Sequence, residues 1–422
     1  MRFEKNCHRK LRIIGAAVLA TLGASQAVHA VPQVQTVFVI AMENHNFIQP
    51  GTQTSPQQVY GNPAAPYETS LVTPGNPNAA QASWAKNYFS VGASIHPSEP
   101  NYIWAEAGKD FGVSARPGAD NDPFAPNTNG RITNQDTNYH LTGFLQSAGV
   151  PWKTYQEDAQ INYTNNTVLP QSQWTVPQSS KRGVFTTGTN AWNGSNQYDL
   201  APKHDPMVFF TDTNGGNNAN YADPTTNPLA SKYAPLQQLS TDLANNTVAR
   251  YNFITPNQFN DQHSGLTGGY KGLTGDAANI KQGDDFLAAI VPQIMASQAY
   301  QNNGAIVIWN DETEGGDDAN HTSMEIVLSP LAKGNAYVNN AASYTHSSDL
   351  RTMQEIFNVG SNNPAATGGV FLNDANNVAD LSDLFVAGAI PGTPTNLVPE
   401  PASLGLLGVG VISVLARRKR KA

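Results

Sequence analysis

The chain has 422 residues, of which 39% are hydrophobic, so it can bury a full core and wholesale disorder is excluded. No apolar run reaches the roughly 18 residues of a membrane-spanning helix, which excludes a polytopic membrane protein. The net charge is −8 and the basic residues are concentrated at the two ends, so the acidic body between them argues against DNA or RNA as a partner.

Residues 1–30 have the pattern of a secretory signal peptide. Basic residues precede an apolar run from Leu11 to Leu22, and Val28-His29-Ala30 suits cleavage before Val31. A buried N-terminal helix is the alternative interpretation. The only cysteine, Cys7, lies in this segment, so we expect the exported protein to have neither disulfides nor a cysteine metal site.

Strand and helix patterns alternate through the body of the chain. Apolar runs predict buried strands at Val34–Met42, Asn87–Gly92, Val208–Thr211, Tyr251–Thr255, Ala305–Trp309 and Met324–Leu328. Helical periodicity predicts helices at Asn138–Ala148, Leu236–Leu243, Asp284–Tyr300 and Ser347–Phe357, with Pro292 bending the third. This alternation favours an α/β fold, a three-layer α/β/α sandwich with a mostly parallel central sheet. The polar stretches 109–137 and 157–203 have no clear period and are predicted to be surface insertions around a site.

The C-terminal region has a different composition from the body, which we place at residues 31–387. A linker rich in Gly, Pro and Thr covers residues 388–398, and a segment over residues 399–422 follows it. That segment has Pro399-Glu400-Pro401, an apolar stretch from Leu404 to Ala416 and a basic end. This order resembles the PEP-CTERM sorting tail of Gram-negative, exopolysaccharide-producing bacteria. The resemblance implies export to the cell surface, periplasm or extracellular matrix, transient membrane association and cleavage by an exosortase-type enzyme. A simple C-terminal membrane anchor is the alternative.

Polar side chains follow four of the predicted strands. In chain order they are Glu43 and Asn44, Ser98 and Asn101, Asp261 and His263, and Asp311 and Glu312. In open α/β sheets the chemistry lies at the carboxyl ends of the strands. Most of these groups are oxygen donors that suit a hard divalent cation, and Asp261 with His263 would add a mixed nitrogen and oxygen site. A metal ion beside a serine oxygen would activate that oxygen as a nucleophile.

These strand-end motifs resemble the phosphoesterase family of bacterial and fungal acid phosphatases and phosphatidylcholine-type phospholipases C. The matching runs are Met42–Phe47, His96–Tyr102, Ile254–Asn257 with Asp261-Gln262-His263, and Trp309–Glu312. Supporting matches are Gly149–Tyr155, His204-Asp205-Pro206 and Tyr344–Ser347. The family belongs to the alkaline phosphatase superfamily, so the resemblance implies an alkaline phosphatase-like fold and makes residues 31–387 the catalytic domain.

The resemblance also implies roles for individual residues. The ligands of a divalent metal (Zn, Mg, Mn or Ca) would be Glu43, Asn44, Ser98, Asp311 and Glu312, with Asp261 on a loop that supplies a second metal site or a phosphate contact. Ser98 would attack phosphorus and form a phosphoserine intermediate, and Asn101 would hold a phosphoryl oxygen. His263 or His346 would protonate the leaving oxygen or position water.

The predicted function is hydrolysis of phosphate esters, with monoesters as the first choice. A phosphodiesterase or phospholipase C-like hydrolase is an alternative. It is weakened by Asn310, where a small or aromatic residue is common, and by residues 313–321, which lack the Gly-x-Tyr-Asp-His run of the phospholipase branch. A third hypothesis is a catalytically inactive matrix or surface-binding protein on the same fold.

Overall fold

The computed structural model describes residues 31–89, 95–115, 119–120, 122, 135–215, 227–314 and 322–398. The chain divides into two units, Met1–Val31 and Pro32–Ala422, and the fold below is that of the second unit. The predicted signal peptide and sorting tail lie outside the described residues. Within the described ranges, no helix combines the length and the apolar character that a membrane span requires.

An eight-stranded sheet forms the centre of the described part of the chain. Its strands, numbered in chain order, are β1 (Thr36–Met42), β2 (Ala82–Phe89), β3 (Trp152–Gln156), β4 (Tyr233–Pro235), β5 (Tyr251–Thr255), β6 (Gly304–Asn310), β7 (Thr322–Leu328) and β8 (Tyr337–Asn339). The order across the sheet is β8-β2-β7-β6-β1-β5-β3-β4. Every strand runs parallel to β1 except β7. The mostly parallel sheet predicted from the sequence is therefore confirmed.

Helices cover both faces of the sheet. They are α1 (Pro66–Leu71), α2 (Ser98–Ala107), α3 (Leu141–Ser147), α4 (Thr211–Asn214), α5 (Gln237–Asn245), α6 (Asp276–Met295), α7 (Gln298–Gln301), α8 (His346–Phe357) and α9 (Pro364–Thr367). Val37 and Val39 of β1 lie in one core with residues of α2, α3 and α8. Phe38 and Ile40 point to the other face and lie in a second core with α6. Two cores separated by one sheet confirm the three-layer α/β/α prediction.

Several element predictions differ from the structure. The strand predicted at Val208–Thr211 is wrong, because Pro206–Phe209 forms a 3₁₀ helix and α4 follows it. Pro206 suits a first helical turn, and the Asp205 side chain accepts a hydrogen bond from the Met207 amide, so the buried apolar run begins as a turn. The strand predicted at Asn87–Gly92 begins earlier, at Ala82, and is described as far as Phe89, while residues 90–92 lie outside the described residues. Sequence analysis also missed α2, whose proline lies in the first turn where proline is tolerated.

One of the two stretches without clear periodicity and the predicted linker both contain regular structure. Residues 157–203 include two small antiparallel ribbons, Ile161–Asn162 with Thr167–Val168 and Lys181–Val184 with Gln197–Leu200. Residues 388–398, predicted as a linker, contact the domain through parallel pairing of Leu397–Val398 with Gly360–Ser361.

His140 is buried between two carboxylates beneath one face of the sheet. Its Nδ1 lies 2.9 Å from Glu106 Oε1 and its Nε2 lies 2.7 Å from Asp212 Oδ1. Burial alone would lower the pKa of His140, but Asp212 and Glu106 raise it to about 9. Because this folded-state pKa lies above the ordinary value near 6.5, its stabilisation is complete below about pH 6.5 and is lost as the pH rises through about 9.

We therefore expect His140→Gln to lower the free energy of unfolding by about 3–5 kcal/mol at pH 6, because it leaves two carboxylates without their buried cation. The loss should shrink above pH 9, where His140 in the wild type is itself neutral. Urea denaturation at both pH values measures this difference. Lys333→Gln, which removes an exposed ion pair with Asp383, is the control and should cost less than about 1 kcal/mol. An equal loss for His140→Gln at both pH values would contradict the ion-pair explanation.

Candidate active site

The carboxyl ends of three parallel strands meet at one edge of the sheet. Met42 at the end of β1 pairs with Asn310 at the end of β6, and β5 lies on the other side of β1. Backbone hydrogen bonds join the segments at the carboxyl ends of these strands. The Glu43 amide donates to the Asp261 carbonyl at 2.8 Å, and the Asp311 amide donates to the Met42 carbonyl at 3.1 Å. The fold therefore brings together acidic residues that are far apart in the chain.

Ser98 is the first residue of α2 and is buried among these acids. Its hydroxyl oxygen lies 3.2 Å from Glu43 Oε2 and 3.3 Å from Glu312 Oε1. The hydroxyl therefore has two carboxylates in place to accept its proton. The N-terminal end of a helix also favours negative charge, so this position suits an oxygen that gains charge during a reaction.

Asn101 and Tyr102 follow one turn later on the same face of α2. The Asn101 side-chain amide donates to the Ile95 carbonyl at 2.7 Å and to Glu312 Oε2 at 3.1 Å. Its Oδ1 is buried and has no hydrogen-bond partner among the described residues. The Tyr102 hydroxyl donates to Glu43 Oε1 at 2.6 Å. One face of α2 thus contacts acidic residues from two strands.

Asn44 lies next to Glu43 with a left-handed backbone, φ 48°, a conformation that asparagine tolerates better than most residues. Its amide donates to Asp311 Oδ1 at 3.2 Å. This contact joins the loop after β1 to the loop after β6.

His204 also belongs to the site, although sequence reasoning noted only its motif and gave it no role. Its Nδ1 lies 3.3 Å from Glu43 Oε1 and 3.9 Å from Asp261 Oδ2, and its ring stacks on Tyr102 at 4.9 Å between centroids. Glu43, His204 and Asp261 offer ligand atoms that all lie within 4.8 Å of one another. The signal in the sequence was the run His204-Asp205-Pro206.

The site holds more negative charge than its surroundings balance. Burial, followed by the nearby Asp311 and Asp261, raises the pKa of Glu43 well above its ordinary value. Burial first, and then Glu312, raises the pKa of Asp311 in the same way. The pKa of Asp261 is also raised, mainly by burial.

Several buried atoms at the site have no hydrogen-bond partner among the described residues. They are Asn44 Oδ1, Asp261 Oδ2, Asp311 Oδ2 and both ring nitrogens of His204. Carboxylate and amide oxygens with an imidazole nitrogen are a donor set that binds divalent cations. The excess negative charge and these unpartnered donors both fit such a cation.

The two predicted catalytic histidines have different surroundings. His263 is exposed, and its backbone amide donates to Asp261 Oδ1 at 2.8 Å. His346 is buried, with Nε2 at 2.7 Å from the Asp311 carbonyl oxygen and Nδ1 against the Tyr88 hydroxyl. Both ring nitrogens of His346 are therefore engaged behind the metal-ligand candidates.

Comparison with known proteins gives two family matches. The Phosphoesterase family model matches residues 78–360, and the PEP-CTERM protein-sorting motif matches residues 397–421. The sorting motif indicates export and surface association.

Curated relatives include the phosphatidylinositol-3-phosphatase of Mycobacterium tuberculosis, 28% identical over 309 residues, which are 73% of this chain and 76% of that protein. The acid phosphatase of Aspergillus fumigatus is 25% identical over 261 residues, 61% of this chain and 43% of that protein. The chain thus spans less than half of the fungal relative. A solved alkaline phosphatase superfamily protein from Vibrio parahaemolyticus has a TM-score of 0.41 and 9% identity, over 77% of this chain and 66% of that one. Because the family match covers more than half of the sequence, the chain belongs to the phosphoesterase family, whose members are hydrolases of phosphate esters.

Proposed function

We propose that this protein is an exported, metal-dependent phosphoesterase that hydrolyses phosphate monoesters through a phosphoserine intermediate on Ser98. The observation that carries the proposal is the position of the Ser98 hydroxyl, at 3.2 Å from Glu43 and 3.3 Å from Glu312 at the start of a helix. The PEP-CTERM motif supports export and processing by an exosortase-type enzyme.

The residues that would hold the divalent cation are those that the sequence predicted, with one addition. Glu43, Asn44, Ser98, Asp311 and Glu312 form an oxygen-rich group around the hydroxyl. Asp261 and His204 lie on the other side of Glu43 and add a mixed nitrogen and oxygen group. When bound, the cation supplies positive charge that favours the ionised serine and the phosphoryl oxygens.

The proposed reaction has two steps. First, a bond forms between Ser98 Oγ and phosphorus while the bond to the leaving oxygen breaks, and the serine proton passes to Glu43 or Glu312. The leaving oxygen takes a proton, for which the exposed His263 is the candidate donor. In the second step water attacks phosphorus and gives a proton to His263, the bond to Oγ breaks, and Ser98 regains its proton from the carboxylate.

We retain Asn101 as the candidate donor to a phosphoryl oxygen. Its side-chain nitrogen lies 3.1 Å from Glu312 Oε2, next to Ser98 on the same helix face. Binding of a phosphoryl group would then exchange one acceptor of this amide for another, at little cost in hydrogen bonds. The N-terminal end of α2 adds favourable electrostatics for the same oxygens.

A neighbouring cavity favours a polar leaving group. It has a volume of about 450 Å³ and is lined by Asp120, Asp122, Ser180, Arg182, Asp199, Ala201, Lys203 and Gln258. Lys203 directly precedes His204, and Gln258 lies on the loop that leads to Asp261, so the cavity borders the site. Because most of the residues that line this cavity are charged or polar, the cavity suits hydroxyl-bearing leaving groups better than acyl chains. This supports an acid-phosphatase-like monoesterase over a phospholipase C-like enzyme.

Hydrolysis of p-nitrophenyl phosphate and of bis-p-nitrophenyl phosphate by the purified protein tests the proposal. We expect the monoester to show at least about tenfold higher kcat/KM, because the charged side chains that line the neighbouring cavity do not suit the second aryl ester group of the diester. Chelation should abolish turnover and an added divalent cation should restore it.

A preference for the diester would instead support a phosphodiesterase. Absence of turnover with every divalent cation, in protein that circular dichroism shows to be folded, would favour the inactive matrix protein on the same fold.

A further inference from the structure

A buried hydrogen-bond chain runs behind the candidate metal ligands. His346 Nε2 lies 2.7 Å from the backbone carbonyl oxygen of Asp311, and His346 Nδ1 contacts the Tyr88 hydroxyl. The same hydroxyl lies 2.7 Å from Asp349 Oδ2, and the buried Glu325 adjoins Asp349. The sequence of contacts is therefore Asp349, Tyr88, His346 and Asp311.

The chemistry of the Asp311 contact fixes one proton. A backbone carbonyl oxygen can only accept a hydrogen bond, so His346 Nε2 carries the hydrogen and donates it. The other ring nitrogen meets the Tyr88 hydroxyl, which is itself held by Asp349. No ring nitrogen remains to give a proton to a leaving group. This makes His346 unsuited to the acid role that the sequence suggested for it.

The histidine ring is held from several sides. His346 is the first residue of α8, and the cap of that helix is closed by the Thr345 side chain, which accepts from the Ser347 amide. The ring packs edge-on against Trp309, with centroids 4.4 Å apart. The cap fixes the start of the helix, and the packing against Trp309 and the contacts at both ring nitrogens then hold the His346 ring in one orientation.

The backbone of Asp311 is therefore fixed by hydrogen bonds at both its amide and its carbonyl group. Its amide donates to the Met42 carbonyl at 3.1 Å, and its carbonyl accepts from His346 at 2.7 Å. Its carboxylate Oδ1 accepts from the Asn44 amide at 3.2 Å, which leaves Oδ2 for a cation. Glu312 is the next residue, so a change in this peptide moves both acids.

We propose that His346, held by Tyr88 and Asp349, is a positioning residue that fixes Asp311 and Glu312 for cation binding. The inference rests on the proposed metal site, and it replaces a proton-donor role of His346 with a role in metal affinity. Partners that orient metal ligands in this way typically change affinity by about 10–100-fold when they are removed.

Isothermal titration calorimetry, in which Mn²⁺ is titrated into the metal-free protein, tests this inference. We expect His346→Leu to raise the Kd for Mn²⁺ at least about tenfold, and Tyr88→Phe to raise it by a smaller factor. His346→Gln keeps a side-chain N–H of similar reach and should recover part of the affinity. Tyr337→Phe removes a tyrosine hydroxyl that contacts Asp383 instead, and it should leave the Kd unchanged.

Kinetics at saturating Mn²⁺ separate the two roles of His346. A positioning role predicts that kcat in Tyr88→Phe and His346→Gln returns close to the wild-type value and that the pH profile keeps its shape. Unchanged Mn²⁺ affinity in both His346→Leu and Tyr88→Phe, or a lost limb of the kcat pH profile of His346→Gln at saturating metal, would overturn the inference in favour of proton donation. A wild-type protein that binds no cation would overturn this inference together with the proposed metal site, whereas normal Mn²⁺ binding without phosphatase turnover would overturn the proposed activity alone.

Discussion

Replacement of Ser98 by alanine is expected to lower kcat for p-nitrophenyl phosphate by at least about 10³-fold. The variant loses the only hydroxyl that contacts both Glu43 and Glu312 among the described residues, and with it the atom that would bond to phosphorus. The carboxylates remain, so cation binding should persist at reduced affinity. Steady-state kinetics and a metal titration on the same preparation measure the two effects separately.

A matched serine far from the site provides the control. Ser240 is exposed on α5 and contacts Gln293, so Ser240→Ala should have wild-type kinetics. Acid quenching during turnover of labelled substrate should trap phosphate on the wild-type protein and none on Ser98→Ala. Turnover that survives in Ser98→Ala would show that another group attacks phosphorus.

The central strands could be predicted because burial on both faces leaves a signal in the sequence. β1, β5 and β6 read as nearly continuous apolar runs, as strands of a covered parallel sheet do. The same signal misled at Val208–Thr211, where an apolar run is buried in a turn that begins at Pro206. Burial explains why this segment is hydrophobic, whereas its backbone conformation depends on Pro206 and on the Asp205 side chain that caps the turn.

The acidic residues of the candidate site could be predicted because they lie on the loops that follow three of the predicted strands. Glu43, Asp261 and Asp311 lie on loops after β1, β5 and β6, and neighbouring parallel strands bring such loops together. His204 ends the 3₁₀ helix Pro202–His204 and does not follow a strand of the central sheet, so only its motif pointed to it. Its distance from Glu43 depends on the packing of that segment against Tyr102.

The difference between His263 and His346 could not be predicted from the sequence. Both histidines lie in motifs that resemble those of the family. His263 is exposed, whereas His346 is buried and both of its ring nitrogens have contacts. The second nitrogen of His346 contacts Tyr88, near the end of β2, and this contact with α8 forms only in the folded chain. Exposure and hydrogen-bond partners, more than residue type, therefore separate a candidate proton donor from a positioning residue.

Removal of the divalent cation is expected to make the stability of the protein fall as the pH rises from about 5 to 8. The pKa values of Glu43, Asp261 and Asp311 are raised by burial, so the folded protein binds more protons than the unfolded chain in this range. The free energy of unfolding therefore decreases as these groups lose their protons with rising pH. A bound cation should reverse the trend, since it binds the ionised carboxylates, and should add about 2.7 kcal/mol when its concentration is 100 times Kd.

Asp311→Asn separates this electrostatic explanation from a general effect of pH. With one buried carboxylate fewer, the metal-free variant should melt at a higher temperature than the metal-free wild type near pH 8, and added Mn²⁺ should raise its Tm less. Asp383→Asn alters an exposed carboxylate that pairs with Lys333 and should follow the wild type. Thermal denaturation of chelator-treated and Mn²⁺-loaded protein across this pH range measures all three proteins. A metal-free wild type whose Tm does not depend on pH, together with no gain in Asp311→Asn, would show that these carboxylates do not form a cation site.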